Sequence, residues 1–103
     1  MRRSASWMTI WDDRILEYVV EEGSATPKKL DECGYIHVSR SQISRRLRRL
    51  YEGNLLDHLG NGVYVITEEG EAYLEERFDV DRWSYVEGEE GSATASADGT
   101  SET

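Results

Sequence analysis

The chain has 103 residues, 38% of them hydrophobic, and carries a formal net charge of −9 at pH 7. This length fits one small domain with one core and excludes a second domain of ordinary size. No apolar run approaches the ~18 residues of a membrane span, and no signal-peptide core follows the basic start of the chain. We therefore expect a cytoplasmic protein without a membrane segment.

The charged residues are predominantly acidic. Aspartate and glutamate number 21 against 12 for lysine and arginine, and only Lys28 and Lys29 are lysines. An acidic excess with arginine preferred to lysine is typical of proteins that stay soluble in molar salt. We expect a halophilic cytoplasm, with an ordinary acidic protein of a low-salt cytoplasm as the alternative.

The first predicted helix begins after Thr9 and ends at Gly23. Thr9 can act as its N-cap with Asp12 at the third helical position, which is the spacing of a capping box. Four apolar side chains share one face of this helix: Trp11, Ile15, Tyr18 and Val19. Asp12, Asp13 and Glu17 are expected on the solvated side, which suits an outer helix of a small bundle.

A short second helix is predicted from Pro27 to Cys33. Thr26 followed by Pro27 combines an N-cap with a proline in the first turn, and Gly34 can end the helix. The connector to the next helix, residues 34–38, is slightly longer than the tightest helix-turn-helix turns.

The third predicted helix begins with Ser39 as its N-cap and ends near Tyr51. Gln42 follows Ser39 by three residues, the spacing at which two side chains cap a helix reciprocally. The apolar residues form one narrow stripe, and every other residue from Ser39 to Leu50 is polar. The stripe consists of Ile43, Leu47 and Leu50.

Positive charge is concentrated on this third helix. It carries Arg40, Arg45, Arg46, Arg48 and Arg49, and no acid occurs between Glu32 and Glu52. From Thr26 to Tyr51, seven basic and two acidic side chains leave a balance of +5, so the rest of the chain carries −14. One basic helix on an anionic protein indicates a polyanionic ligand, and we expect nucleic acid. A merely solvated helix face is the alternative.

A β-hairpin is predicted directly after the basic helix. Leu55 to Leu59 and Val63 to Ile66 have strand character, and Gly60-Asn61-Gly62 supplies a turn of positive φ. Thr67 then caps a last helix that carries Ala72, Tyr73, Leu74 and Phe78. The predicted fold is α+β, a winged helix-turn-helix with three helices, a β-hairpin wing and a C-terminal helix.

The composition changes beyond Trp83 to glycine, serine, alanine, threonine and acids, with no basic residue. Such a segment buries too little apolar surface to offset its chain entropy. We predict a winged-helix DNA-binding domain over residues 1–83 and a disordered acidic tail over residues 84–103.

Two strings resemble a known family: S-R-S-Q-I-S-R-R-L-R-R-L-Y-E-G-N-L-L and G-N-G-V-Y-V-I-T-E-E-G-E-A-Y-L. In this order of elements, the chain is similar to the winged helix-turn-helix regulators of haloarchaea of the phage phi-H repressor type, from about Trp7 to Phe78. The resemblance implies a small transcriptional regulator with residues 39–51 as recognition helix and residues 55–66 as wing. The wing tip lacks arginine and lysine, which departs from wings that contact the minor groove.

The predicted DNA-binding residues fall into two groups. Outward residues in the N-terminal half of a recognition helix contact base edges, and flanking basic residues contact phosphates. Ser41, Gln42 and Arg45 are predicted to contact base edges, with Ser44 as a further candidate. The phosphate contacts are predicted to come from Arg40, Arg46, Arg48, Arg49, Lys28 and Lys29.

Large apolar side chains near both ends of the folded region exceed what so small a core needs. Those predicted to form an interface are Trp7, Met8, Trp11, Phe78, Val80 and Trp83. Aromatic residues concentrate at interface centres, and DNA-binding proteins commonly form two-fold dimers. We therefore predict a homodimer, while core packing is the alternative for Trp11 and Phe78.

The predicted function is sequence-specific binding of double-stranded DNA by a transcriptional regulator, expected to be a repressor, whose basic helix enters the major groove. The alternative is a winged-helix module that binds another protein without contacting DNA. Cys33, His37 and His58 lack the spacing of a zinc site, and no nucleophile with a neighbouring base is recognisable. We therefore predict no metal, no cofactor, no catalytic residue and no enzymatic activity.

Overall fold

Four helices and two β-hairpins make up the computed structural model of the chain, which describes residues 1–34 and 36–86. The elements are α1 (Ile10–Glu22), α2 (Pro27–Glu32), α3 (Arg40–Glu52), β1 (Leu56–Gly60), β2 (Val63–Ile66), α4 (Glu68–Leu74), β3 (Phe78–Asp79) and β4 (Ser84–Tyr85). Through α4 this is the predicted winged-helix order. None of these helices has the length and apolar character needed to cross a bilayer.

The helices begin where local capping signals placed them. At α1, Oδ2 of Asp12 accepts a hydrogen bond from the backbone N–H of Thr9 at 2.8 Å. At α3, Oγ of Ser39 accepts the backbone N–H of Gln42 at 3.2 Å, as predicted. The carboxamide oxygen of Gln42 accepts a hydrogen bond from Arg45 at 3.2 Å, so it is turned along the helix rather than back to the cap.

One apolar core lies between the helices and the wing. Its buried members come from every helix and from the wing: Ile15, Leu16, Val19, Ala25, Leu30, Ile36, Ile43, Leu47, Leu50, Leu55, Leu56, Ala72, Tyr73, Phe78 and Val80, with Ala5 from the N-terminal segment. Each fully buried leucine or isoleucine stabilises the fold by about 1.5–3 kcal/mol relative to exposure. Because the stripe Ile43, Leu47 and Leu50 is completely buried, the polar side of α3 faces solvent.

The wing is an antiparallel pair, β1 with β2, closed by the predicted turn. Gly60, Asn61 and Gly62 all have positive φ, at 100°, 56° and 75°. Ala25, between α1 and α2, pairs with Tyr64 of β2 through backbone hydrogen bonds of 2.9 Å and 2.8 Å. The wing is therefore fastened to the helical part of the domain on the side away from β1.

The last helix is shorter than predicted. α4 ends at Leu74, and Glu76 follows with a φ of 67°, so Phe78 does not belong to the helix. Phe78 instead begins β3, which pairs antiparallel with β4. The prediction of a helix reaching Phe78 is wrong, because the left-handed residue turns the chain back within the first few positions after α4.

The second hairpin also bears on the predicted domain boundary. The boundary after Trp83 falls inside the hairpin, because Ser84 and Tyr85 form β4 and the N–H of Val86 donates to the carbonyl of Arg77 at 2.8 Å. The remainder of the predicted acidic tail, residues 87–103, lies outside the described residues.

The segment before α1 runs across the domain. Its backbone pairs with the second hairpin, where the N–H of Val80 donates to the carbonyl of Arg3 at 3.0 Å. Ala5 is buried, and Trp7 then packs against the C-terminal half of α3. Residues 1–9 therefore connect the second hairpin to α3.

Candidate nucleic-acid interface

The solvent face of α3 gathers most of the residues predicted to bind nucleic acid. The exposed members are Arg40, Ser41, Gln42, Ser44, Arg45 and Arg48, and Lys28 and Lys29 are exposed on α2. No acid occurs on α3 before its last residue, Glu52. This outer face is therefore a continuous polar and cationic surface on an anionic protein.

Gln42 and Arg45 form a pair in the N-terminal half of this face. Nη2 of Arg45 donates to Oε1 of Gln42 at 3.2 Å, and both side chains are exposed. Arginine pairs with the O6 and N7 edge of guanine, and glutamine pairs with the N6 and N7 edge of adenine. Arg45 thus presents donors suited to guanine, and Gln42 presents a donor and an acceptor suited to adenine.

Two exposed arginines have acidic partners. Arg40 contacts Oδ2 of Asp31 through Nε at 3.2 Å and Nη2 at 3.0 Å, and Arg48 contacts Glu52 at 3.3 Å. Exposed ion pairs of this kind stabilise a fold by about 0–1 kcal/mol. A phosphate can therefore replace either carboxylate at little cost.

Arg46 differs from the other arginines of α3, because its guanidinium is bound inside the domain. Nε donates to Oδ1 of Asp12 at 2.8 Å, and Nη2 donates to Oδ2 of the same carboxylate and to the carbonyl of Trp7 at 3.1 Å. The hydrogen bond with Asp12 raises the pKa of Arg46. Asp12 is completely buried, so the prediction that it lies on the solvated side of α1 is wrong.

Arg49 is half-buried against an aromatic ring. Its guanidinium carbon lies 3.9 Å from the centroid of the Trp7 ring. Trp7 is also close to α3 at Gly53, where a Cβ would lie 3.0 Å from Cζ2 of the indole. The predicted phosphate contacts on α3 therefore separate into an internal arginine, Arg46, a stacked arginine, Arg49, and the exposed Arg40 and Arg48.

Aromatic side chains, rather than basic ones, lie where α3 meets the wing. His58 is stacked on Tyr64 with ring centroids 4.6 Å apart, and Tyr51 contacts His58 edge-on at 5.9 Å. This cluster is absent from the sequence prediction, which treated His58 as an ordinary strand residue. The only sequence signal for it was the presence of an aromatic or histidine residue on each of three neighbouring elements.

The residues predicted for a dimer interface have different environments. Phe78 and Val80 are buried in the core of the domain, and Trp7, Met8 and Trp11 are half-buried against it. Trp83 is 42% exposed and contacts Phe78 edge-on at 4.8 Å. Of the six, only Trp83 presents a largely free aromatic surface.

A separate polar cluster lies beside α1 and α4. Tyr73 donates to Oδ1 of Asp13 at 2.6 Å, and burial together with this bond raises the pKa of Tyr73 far above its ordinary value. Nη1 of Arg2 contacts Oδ2 of Asp13 at 3.3 Å and Oε2 of Glu17 at 2.6 Å.

An open cavity of about 540 Å³ adjoins the cluster and is lined by Met1, Arg2, Ser4, Met8, Thr9, Ile10, Asp13, Tyr73 and Glu76. No group of three potential metal ligands occurs within residues 1–34 and 36–86.

Comparisons with known proteins agree with this geometry. A family profile described as winged helix-turn-helix phage repressor matches residues 1–85, from the N-terminal segment to the end of β4. Among solved structures, the PhiH1 repressor-like protein from Haloarcula marismortui is similar, with 56% sequence identity and a TM-score of 0.82. The alignment covers 84% of this chain and 98% of that protein. A comparison with curated proteins found no match.

Proposed function

We propose that this chain, which belongs to the winged helix-turn-helix phage repressor family of DNA-binding regulators, binds a specific double-stranded DNA sequence through α3 and represses transcription. The observation that carries the proposal is the outer face of α3, where Ser41, Gln42 and Arg45 are exposed together. We assign the chain no enzymatic activity, because the family is one of regulators.

The recognition step follows from the shape of α3. The major groove of B-DNA is about 12 Å wide and admits one α-helix. With its apolar stripe buried, α3 can enter the groove only by its outer face, so Gln42 and Arg45 meet base edges. Lys28 and Lys29 on α2, with Arg40 and Arg48, then lie at the rims of the groove where the phosphates run.

The anionic remainder of the protein supports the same orientation. The chain carries −9 in total although α3 and its surroundings are cationic. The net negative charge of the rest of the chain repels phosphates, whereas the basic residues of α2 and α3 attract them. The charge distribution therefore favours an approach to DNA with α3 foremost.

We extend the proposal to the conditions under which the protein works. The excess of 21 acids over 12 bases is that of a protein kept soluble by carboxylates in strong salt. The similar solved protein comes from Haloarcula marismortui. We propose that this chain, too, folds and binds DNA at high salt.

Pairing of two copies is the remaining part of the proposal. An exposed aromatic surface lies on the second hairpin, where Trp83 is 42% exposed and Tyr85 is 47% exposed, both edge-on to Phe78. Two-fold pairing through this surface would bring two α3 helices into one assembly, as dimeric DNA-binding proteins need for two half-sites. Sedimentation of the wild-type protein and of Trp83→Ser tests this pairing. We expect a dimer for the wild type and a monomer for the variant, and the same molecular mass for both proteins would contradict the proposal.

The experiment that tests the function is selection of bound duplexes from a library with a randomised central segment. We expect one enriched sequence that competes far better than an unrelated duplex, and lower transcription from a template that carries it ahead of a reporter. Arg45→Glu should abolish enrichment, whereas Arg14→Glu, an equal charge change on α1, should preserve it. A protein that binds all duplexes alike, or none, would refute the proposed specificity.

A further inference from the structure

We infer that Trp7 is a positioning residue for DNA binding, and that its indole ring holds the guanidinium of Arg49 flat at the edge of α3 as a preformed phosphate donor. The inference rests on the proposed function, because it assigns Arg49 to the DNA backbone. It gives Trp7, which lies outside both the helix-turn-helix and the wing, a part in DNA binding.

The backbone and the ring of Trp7 are each held near the end of α3. The backbone carbonyl of Trp7 accepts a hydrogen bond from Nη2 of Arg46 at 3.1 Å, and Arg46 is in turn bound to the buried Asp12. On α3, the absence of a side chain at Gly53 leaves room for the ring, since a Cβ there would lie 3.0 Å from Cζ2 and 3.3 Å from Cη2. The indole therefore occupies a slot beside the C-terminal end of α3, between Arg49 and Gly53.

Stacking restrains the guanidinium of Arg49 but leaves its donors available. The carbon of the guanidinium lies over the indole, 3.9 Å from the ring centroid. A guanidinium that stacks on an aromatic face keeps its N–H donors directed outward from its edges. Within the described part of the chain, no acceptor is hydrogen-bonded to Arg49. Arg40 and Arg48 must exchange a carboxylate for a phosphate, whereas Arg49 has none to release.

The location of Arg49 suits a contact with the phosphate backbone of DNA. It follows Arg45 by one helical turn, so both lie toward the same side of α3, but Arg49 belongs to the C-terminal half. The N-terminal half of a recognition helix contacts base edges, and the flanking basic residues contact phosphates. A restrained arginine at this edge loses little conformational freedom when it binds, which favours affinity for every sequence alike.

Two substitutions of similar size separate positioning from simple packing. Trp7→Phe keeps an aromatic face for Arg49, and Trp7→Met fills the slot without one. We expect Trp7→Met to weaken binding to a specific and to an unrelated duplex by a similar factor, roughly fivefold to tenfold, the scale of one ordinary hydrogen bond. Trp7→Phe should retain most of the affinity. Equal losses in the two variants would indicate packing alone and overturn the inference.

A double-mutant cycle supplies the second test. Arg49→Ala should weaken both duplexes, and adding Trp7→Met to it should cause no further loss, because the ring acts through Arg49. Independent, additive losses, or an Arg49→Ala variant with unchanged affinity, would overturn the inference. Thermal unfolding in the same buffer confirms that each variant is folded at the assay temperature. Wild-type protein that binds no duplex would instead refute the proposed function. Specific binding by the wild-type protein, together with additive losses of affinity in the cycle, would refute only the role assigned to Trp7.

Discussion

The buried carboxylate of Asp12 in the first turn of α1 binds the guanidinium of Arg46 in the middle of α3, 34 residues further along the chain. Asp12 is completely inaccessible, whereas the side chain of Arg46 is 24% exposed. Because removal of either partner leaves a charge without its counterion in the interior, the pair fixes α3 against α1. It also binds Nε and Nη2 of Arg46 inside the domain, unlike the exposed guanidinium groups of Arg40 and Arg48.

Arg46→Ala is therefore expected to lower the free energy of unfolding by about 3 kcal/mol, the cost of breaking a buried ion pair from one side. Arg48→Ala removes an arginine from the same helix whose ion pair with Glu52 is exposed, and should change stability by less than about 1 kcal/mol. Urea unfolding at pH 7 measures both. Equal effects in the two variants would show that the Asp12 pair contributes no more than a surface contact.

The assignment of base and phosphate contacts predicts two different outcomes on α3. Arg45→Ala should cost ~1–3 kcal/mol of binding free energy and relax the preference at one base position. Arg49→Ala should weaken binding to all sequences alike. Binding to a randomised-site library with sequencing of the bound fraction measures both effects, and uniform losses from both variants would contradict the assignment.

The acidic end of the chain should be dispensable for folding, but the second hairpin should not. A chain that ends after Val86 keeps β4 and its bond to Arg77 and should melt within a few degrees of the full chain. A chain that ends after Trp83 loses β4 and the contact of Tyr85 with Phe78, so its melting temperature should fall clearly. Calorimetry of the three proteins checks this, and similar melting of both truncated forms would contradict the assigned domain end.

Binding should persist above ~1 M KCl with a shallow dependence on salt. Seven basic residues, Lys28, Lys29 and the five arginines of α3, would give a log–log slope of about −6 if each neutralised a phosphate. Arg46 is bound to Asp12, so the slope should be shallower.

Folding should weaken at low salt, where carboxylates repel one another with little screening. Titration of a specific duplex with KCl, with circular dichroism on the same samples, measures both. Collapse of binding by ~0.3 M in a protein that folds without salt would refute the halophilic mechanism.

Acid should weaken the fold partly through Glu17. Burial alone would raise the pKa of Glu17, but hydrogen bonds from Arg2 and Arg14 outweigh it and hold that pKa below its ordinary value of 4.5. Such a group stabilises the fold above its unfolded pKa, and the stabilisation is lost as the pH falls through the folded value. Glu17→Gln should therefore reduce stability at pH 7 and have a smaller effect at an acid pH below the ordinary value of 4.5. Exposed Glu21→Gln is the control in urea unfolding, and a loss that is the same at both pH values would contradict this role.

Local signals predicted most of the elements that carry the site. The start of α1, the start of α3 and the wing turn were predicted from Thr9, Ser39 and Gly60, respectively. In each case the conformation depends on hydrogen bonds or φ values within three residues of the signal. The stripe of α3 likewise predicted its outer face, because helical periodicity alone determines which side is buried.

Contacts between distant segments were not predictable in the same way. The position of Asp12 in α1 suggested a solvated face, and only its partner on α3 explains its burial. Trp7 belongs to no helical or strand pattern in the sequence, so its contact with Arg49 could not be predicted. That contact depends on the path of the N-terminal segment. The pairing of β3 with β4 involves strands of two residues, which are too short to show an alternating pattern.

The pairing of Ala25 with Tyr64 also bears on aggregation. A strand with unpaired backbone groups is a template to which another chain can add. At Tyr64 the outer edge of β2 is already occupied by Ala25, and the opposite edge of the wing belongs to β1, a strand of five residues with exposed Asp57 and His58. Short length and a charged side chain both discourage growth of a sheet from one molecule to the next. At the high concentrations that a carboxylate-rich surface permits, the wing should therefore resist edge-to-edge polymerisation.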